Sequence, residues 1–174
     1  MRDQFNSREL TLVDHAISVS EELVSDHYKI SESQWLRNRF DIRTRAQHKG
    51  TLTTPSDDVF AEVIRLQGSL SSVGRAPQQY DLYLICLQDH AILREVEINQ
   101  EVSLYPFLLY IVVHELVHIV RFGTFLQNFS LKKAHRSKEE ALVHQHTRDI
   151  LQPTQIHGIE KIISQRWAIR HIDE

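Results

Sequence analysis

The chain holds a single cysteine in 174 residues. A lone Cys86 excludes an internal disulfide and any cysteine-built zinc knuckle. It lies in an apolar, strand-like stretch and is expected to be an inert core residue, because a buried cysteine behaves as a small hydrophobe. Five glycines and four prolines are scattered along the chain, with no internal repeat and no low-complexity segment. The net charge of −3 comes without a basic stripe, which argues against a nucleic-acid partner. Met1-Arg2-Asp3-Gln4-Phe5-Asn6 lacks the apolar core of a secretory signal. The run from Leu104 to Val120 is nearly long enough to cross a bilayer, but His114, Glu115 and His118 interrupt it and are costly in lipid. The expectation is therefore a cytoplasmic protein with no membrane partner. The length suits one domain with a real core.

What the chain does have is histidine, eleven in all. Two of them sit in His114-Glu115-Leu116-Val117-His118, the pattern H-E-x-x-H, inside an otherwise apolar run. Histidines four apart on a helix project from the same face, one turn above each other. Their imidazoles can share one zinc at roughly 2.0–2.1 Å, with the intervening glutamate placed to polarise a metal-bound water. Pro106 suits a first helical turn, and Gly123 suits the position just past the end. The helix so bounded has about five turns and is about 27 Å long. The competing reading is a structural helix with satisfied histidines. Against it, burying ionisable groups without partners costs several kcal/mol, and a metal gives all three residues a task.

A catalytic zinc takes three protein ligands and keeps one position for water. Three sources of the third ligand remain open: a glutamate after the motif, a histidine (His135 or His144), or a partner chain. Glu139 and Glu140 lie 21 and 22 residues beyond His118, room for a loop and a returning helix. Glu140 is preferred because it shares a face with His144, which could then orient a ligand. Glu139 is expected to be solvated at the helix start, where the dipole favours negative charge. Against a ligand role for Glu140 stands a capping box from Ser137 to Glu140. A metzincin is excluded, since Arg121 and Thr124 occupy the positions where that class has glycine and histidine. For the electrophile that steadies the oxyanion, His144, His135, Arg121 and a tyrosine are candidates.

The rest of the chain is read from periodicity and punctuation. Ser7–Tyr28 is an amphipathic helix capped at Ser7. A short helix carries Trp35, Leu36 and Phe40 after a cap at Ser31 or Ser33. Arg37, Arg39, Arg43 and Arg45 form a basic cluster read as a solvated face. A loop runs from Gln47 to Pro55. Ser56-Asp57-Asp58 then caps a helix through Val59, Phe60, Val63, Ile64 and Leu66. Gly68 to Gln79 is the most flexible-looking connection. Tyr80–Leu87 is a strand. Ile92–Ile98 alternates enough for a second strand, with a short helix as the alternative. After the metal helix come a helix from Ser137 that stops before Pro153 and a last helix from Ile156 to Trp167.

His114-Glu115-Leu116-Val117-His118, followed by Glu140-x-x-Val143-His144 and Ile150-Leu151-Gln152-Pro153, resembles the gluzincin pattern of zinc peptidases. In that clan the third ligand is a glutamate on a following helix, which implies Glu140. The tail is also similar to that of ImmA/IrrE-type intracellular peptidases, where Glu-x-x-Ala-Asn precedes an apolar pair and a proline; here Val143-His144 stands in place of Ala-Asn. The resemblance implies an α+β, zincin-like fold: a mostly helical single domain over 1–174, with a small sheet beside the H-E-x-x-H helix. The resemblance covers roughly Leu104 to Pro153; by periodicity, residues 1–79 would form a helical part, and 80–174 a strand and the metal-site helices. It also implies a zinc peptidase acting on a peptide or protein, with ligands His114, His118 and Glu140, Glu115 as general base and His144 assisting. An edge strand, Tyr80–Leu87 or Ile92–Ile98, would align the substrate by strand addition. Two other functions stay open: a zinc amidase with a non-peptide substrate, and a non-catalytic metal-binding or interaction domain.

Overall fold

The structure is a computed structural model that describes residues 2–36, 38–48, 59–70, 78–125, 133–165 and 167. It begins with α1, Ser7–Tyr28, which buries Val13, Ala16, Ser20 and Val24 at three- and four-residue intervals. That spacing lays one stripe against the core. Asn6, rather than Ser7, is the cap: its side chain accepts from the amides of Arg8 (2.9 Å) and Glu9 (3.0 Å). The Glu9 carboxylate accepts in return from the Asn6 amide at 2.8 Å, which closes a capping box. The short α2, Glu32–Trp35, starts after Ser31.

Three strands follow: β1 (Asn38–Thr44), β2 (Ala61–Leu70) and β3 (Gln78–Leu87). Two of them correct the sequence reading. Phe40 lies in β1, so the arginines at 39 and 43 decorate a strand rather than a helix. Val63, Ile64 and Leu66 lie in β2; the expected cap at Ser56-Asp57-Asp58 falls outside the described residues. The N-terminal part therefore carries two of the three strands among the described residues and is not purely helical. The cause is non-local. Both segments pair with β3, β1 in parallel (Phe40 with Tyr83) and β2 antiparallel (Ile64 with Leu84), in the order β1-β3-β2. The expected flexible connection is narrower than read, because β2 runs to Leu70 and β3 starts at Gln78.

β3 is the strand expected at Tyr80–Leu87, and Tyr83 through Leu87 are all buried. A continuous apolar run of this kind fits a central strand covered on both faces. Cys86 lies there fully buried, and burial pushes its thiol up to about 12, with Glu62 and Asp89 acting in the same direction and Arg45 opposing. Being central, β3 has partners on both sides and cannot accept an added strand. The other expected edge, Ile92–Ile98, is helical: α3 spans Asp89–Ile98 and buries Asp89, Ala91, Ile92 and Leu93. Among the described residues the edges of this sheet belong to β1 and β2.

The molecule is organised around α4, Leu104–Phe125. Every residue from Phe107 to Val113 is buried, as are Leu116, Val117, Ile119 and Val120. A helix apolar all round belongs in a core or a bilayer. Among the described residues this is the one helix long and apolar enough to cross a membrane, and 89% of that window is buried inside the protein. The helix continues through Gly123 to Phe125, so Gly123 does not stop it. Around α4 pack α1, the sheet, α5 (Lys133–Leu151) and α6 (Ile159–Ser164). The last helix is shorter than expected. Trp167 instead folds back, its indole N–H donating to the Ile162 carbonyl at 2.8 Å. The result is the expected α+β class, mostly helical with one small mixed sheet.

Candidate metal centre

α4 and α5 build the site between them. On α4, Tyr110, His114 and His118 recur every four residues and form one stripe. On α5, Glu140, His144 and Arg148 do the same. Glu140 meets His118 and His114, while His144 meets Tyr110. Ascending one helix thus descends the other, so the two run antiparallel.

Glu140 Oε1 lies 3.0 Å from His114 Nε2, and Oε2 lies 3.2 Å from His118 Nε2. The two Nε2 atoms are themselves 3.2 Å apart. Ligands held at roughly 2.0–2.1 Å by one tetrahedral zinc stand about 3.3–3.4 Å from each other. The gap between the two imidazoles is close to that edge, and the carboxylate presents one oxygen to each ring at a similar separation. The chemistry matches as well, since two imidazoles and a carboxylate suit a borderline cation. His114 is fully buried, His118 nearly so, and Glu140 retains 25% side-chain exposure. The trio is the one metal-capable cluster of histidine, cysteine or acid side chains among the described residues. Glu115 lies between the two histidines on α4 and is fully buried.

Glu139 is not solvated. It is buried, and both its oxygens take hydrogen bonds from the buried Arg121: Nε donates to Oε1, and Nη2 donates to Oε2 at 2.9 Å. The sequence reading failed here because α5 starts at Lys133, not Ser137. Position 139 is then well inside the helix, one residue and about 100° round from Glu140, where it faces the C-terminal half of α4. The same shift removes the capping box from Ser137 to Glu140. Arg121, a candidate for the oxyanion, is committed to Glu139 instead. The His135 side chain lies outside the described residues.

His144 is brought to the site. Its Nε2 is 3.4 Å from Glu140 Oε1, and its ring centroid is 4.7 Å from that of His114. Its Nδ1 is 2.6 Å from the Tyr110 hydroxyl. Burial pushes the Tyr110 hydroxyl well above the ordinary phenol value; the nearby Glu140 and Glu115 add to that and Arg148 opposes it. Tyr110 therefore stays protonated and can donate to His144. Sequence reasoning left this tyrosine unidentified, although its place four residues before His114 was the available signal. Arg148, four residues past His144, carried the same signal and was passed over. Phe122 ties the site to the sheet, with ring centroids 5.7 Å from His118 and 6.3 Å from Tyr83.

No family model matches the chain, and neither a curated protein nor a solved structure matches it. The gluzincin resemblance stands on its motif residues alone.

Proposed function

We propose that this chain is a zinc-dependent hydrolase of the peptidase type, with His114, His118 and Glu140 as ligands and Glu115 as general base. The observation that supports it is the convergence of Glu140 on the two histidines at 3.0 and 3.2 Å. A zinc ion held by these three residues would lower the pKa of a bound water towards neutrality and polarise a substrate carbonyl. Glu115 takes a proton from the attacking water and delivers it to the leaving amine nitrogen. Its burial keeps that proton between enzyme and substrate rather than in bulk water. His144, whose Nδ1 accepts from Tyr110, keeps one N–H, at Nε2, which can either orient Glu140 or turn to the oxygen on which negative charge develops. A purely structural site has no use for Glu115, which is why the catalytic reading is preferred.

Metal analysis of the purified chain should give about one zinc per molecule, and His114→Ala should empty the site. Glu115→Gln should keep the zinc and lose hydrolysis of a mixed peptide library. A zinc-loaded wild-type chain that cleaves no peptide, or a Glu115→Gln chain that still does, overturns the reading.

A further inference from the structure

A cavity of about 440 Å³ opens beside His144 and Tyr110, away from the three metal donors. Its other walls include Arg148 and Gln165, with Ile163 and Trp167 as apolar surface. Among the described residues no carboxylate lines it, although the chain as a whole is net acidic. Arg148 gives one N–H, from Nη2, to the Ile163 carbonyl at 3.1 Å. Among the described residues no acid pairs with Arg148, so its remaining N–H groups are uncommitted. The Gln165 side-chain oxygen is taken by Asn99 Nδ2 at 3.3 Å, which leaves its amide as a donor.

We propose that this cavity binds the free carboxylate end of a short peptide, with Arg148 as the anchor. The inference rests on the peptidase reading for its orientation but not for its chemistry. Guanidinium and carboxylate match in shape and charge, and such pairs are among the stronger hydrogen bonds proteins make. The side chain of the terminal residue packs on Ile163 and Trp167. Glu140, His144 and Arg148 lie on one stripe of α5, and eight residues of helix rise about 12 Å. An extended peptide covers 3.3–3.6 Å per residue, so the anchored carboxylate sits about three to four residues beyond the bond at the metal donors. The cavity thus selects substrates near their C-terminus, releasing a tri- or tetrapeptide.

The test uses the full chain carrying Glu115→Gln to block turnover, with zinc and again after zinc removal. It is titrated calorimetrically with an N-acetylated tetrapeptide ending in leucine, as the free acid and as the C-terminal amide. The acid should bind at least about tenfold more tightly than the amide in both metal states. Arg148→Gln should erase that gap, and Arg148→Lys should keep part of it. Arg148 is exposed, so these variants are expected to fold, and circular dichroism checks it. Equal binding of acid and amide, no saturable binding of either, or an unchanged gap in Arg148→Gln each overturn the proposal. The two readings fail separately. Acid-selective binding with no hydrolysis by the wild-type zinc protein sinks the peptidase reading and leaves the anchor. Hydrolysis without acid selectivity does the reverse.

Discussion

Glu139→Gln removes the negative charge from a pair whose other member, Arg121, is only 7% exposed. The guanidinium cannot shed its proton, so the variant leaves a buried cation facing a neutral amide. Breaking a buried pair from one side costs about 3–5 kcal/mol. In a domain of this length each kcal/mol moves the melting midpoint by about 2–4 °C, which makes the expected fall roughly 6–20 °C. Zinc content should not change, because Glu139 is turned towards Arg121 and away from the two imidazoles. Glu140→Gln should give the opposite pattern. Metal-free stability should stay within about 1 kcal/mol of wild type. Zinc affinity should drop by more than the roughly 10–100-fold that loss of an outer-shell partner costs. Urea titrations of the metal-free chains measure the first quantity, and competition with a chromophoric chelator measures the second. A Glu139→Gln chain as stable as wild type, or one that loses zinc while Glu140→Gln keeps it, refutes the assignment of the two carboxylates.

Tyr110→Phe deletes the 2.6 Å contact to His144. It should cost about 1 kcal/mol, since His144 is half-buried, and should leave zinc content unchanged; loss of zinc would show that Tyr110 holds the metal donors themselves. Cys86, with its thiol pushed up to about 12, should carry roughly a thousandfold less thiolate than a free cysteine near pH 8. Iodoacetamide should therefore label it only after unfolding, as read by mass spectrometry. Burial, then the charges of Arg121 and His27, hold the His146 imidazole below its ordinary value. The unfolded chain then binds a proton that the folded chain refuses. Stability should accordingly decline as pH falls below about 6.5 and level off once the folded-state value is passed. His146→Gln should lose that slope in urea midpoints taken across the range.

The segments read wrongly share a physical cause. β1 (Asn38–Thr44) has Phe40 and Ile42 on one face but is polar overall, and it becomes a strand only because β3 supplies its hydrogen bonds. In and just before β2, Val59, Phe60, Val63 and Ile64 imitate a helical stripe, yet Ala61 and Val63 are buried as strand neighbours of Leu87 and Ile85. α3 erred in the other direction. The alternation of Ile92, Arg94, Val96 and Ile98 with Leu93, Glu95 and Glu97 suggested a strand, with a short helix as the alternative, and the spacing of Asp89, Ile92, Leu93 and Val96 describes the helical face that forms. Where a segment was long and strongly periodic, as in α1 and α4, local pattern and final structure agreed.

The same division runs through the site. His114, Glu115 and His118 lie within five residues of one rigid helix, so their mutual placement follows from helical geometry and was legible in the chain alone. The choice between Glu139 and Glu140 was not. One residue turns a helix by about 100°, so which acid faces the imidazoles depends on how α5 rolls against α4. That roll is set by Val143, Thr147, Ile150 and Leu151 entering the core, and by Arg121 needing a counter-charge. Both are contacts between segments far apart in sequence, and only the folded structure decides them.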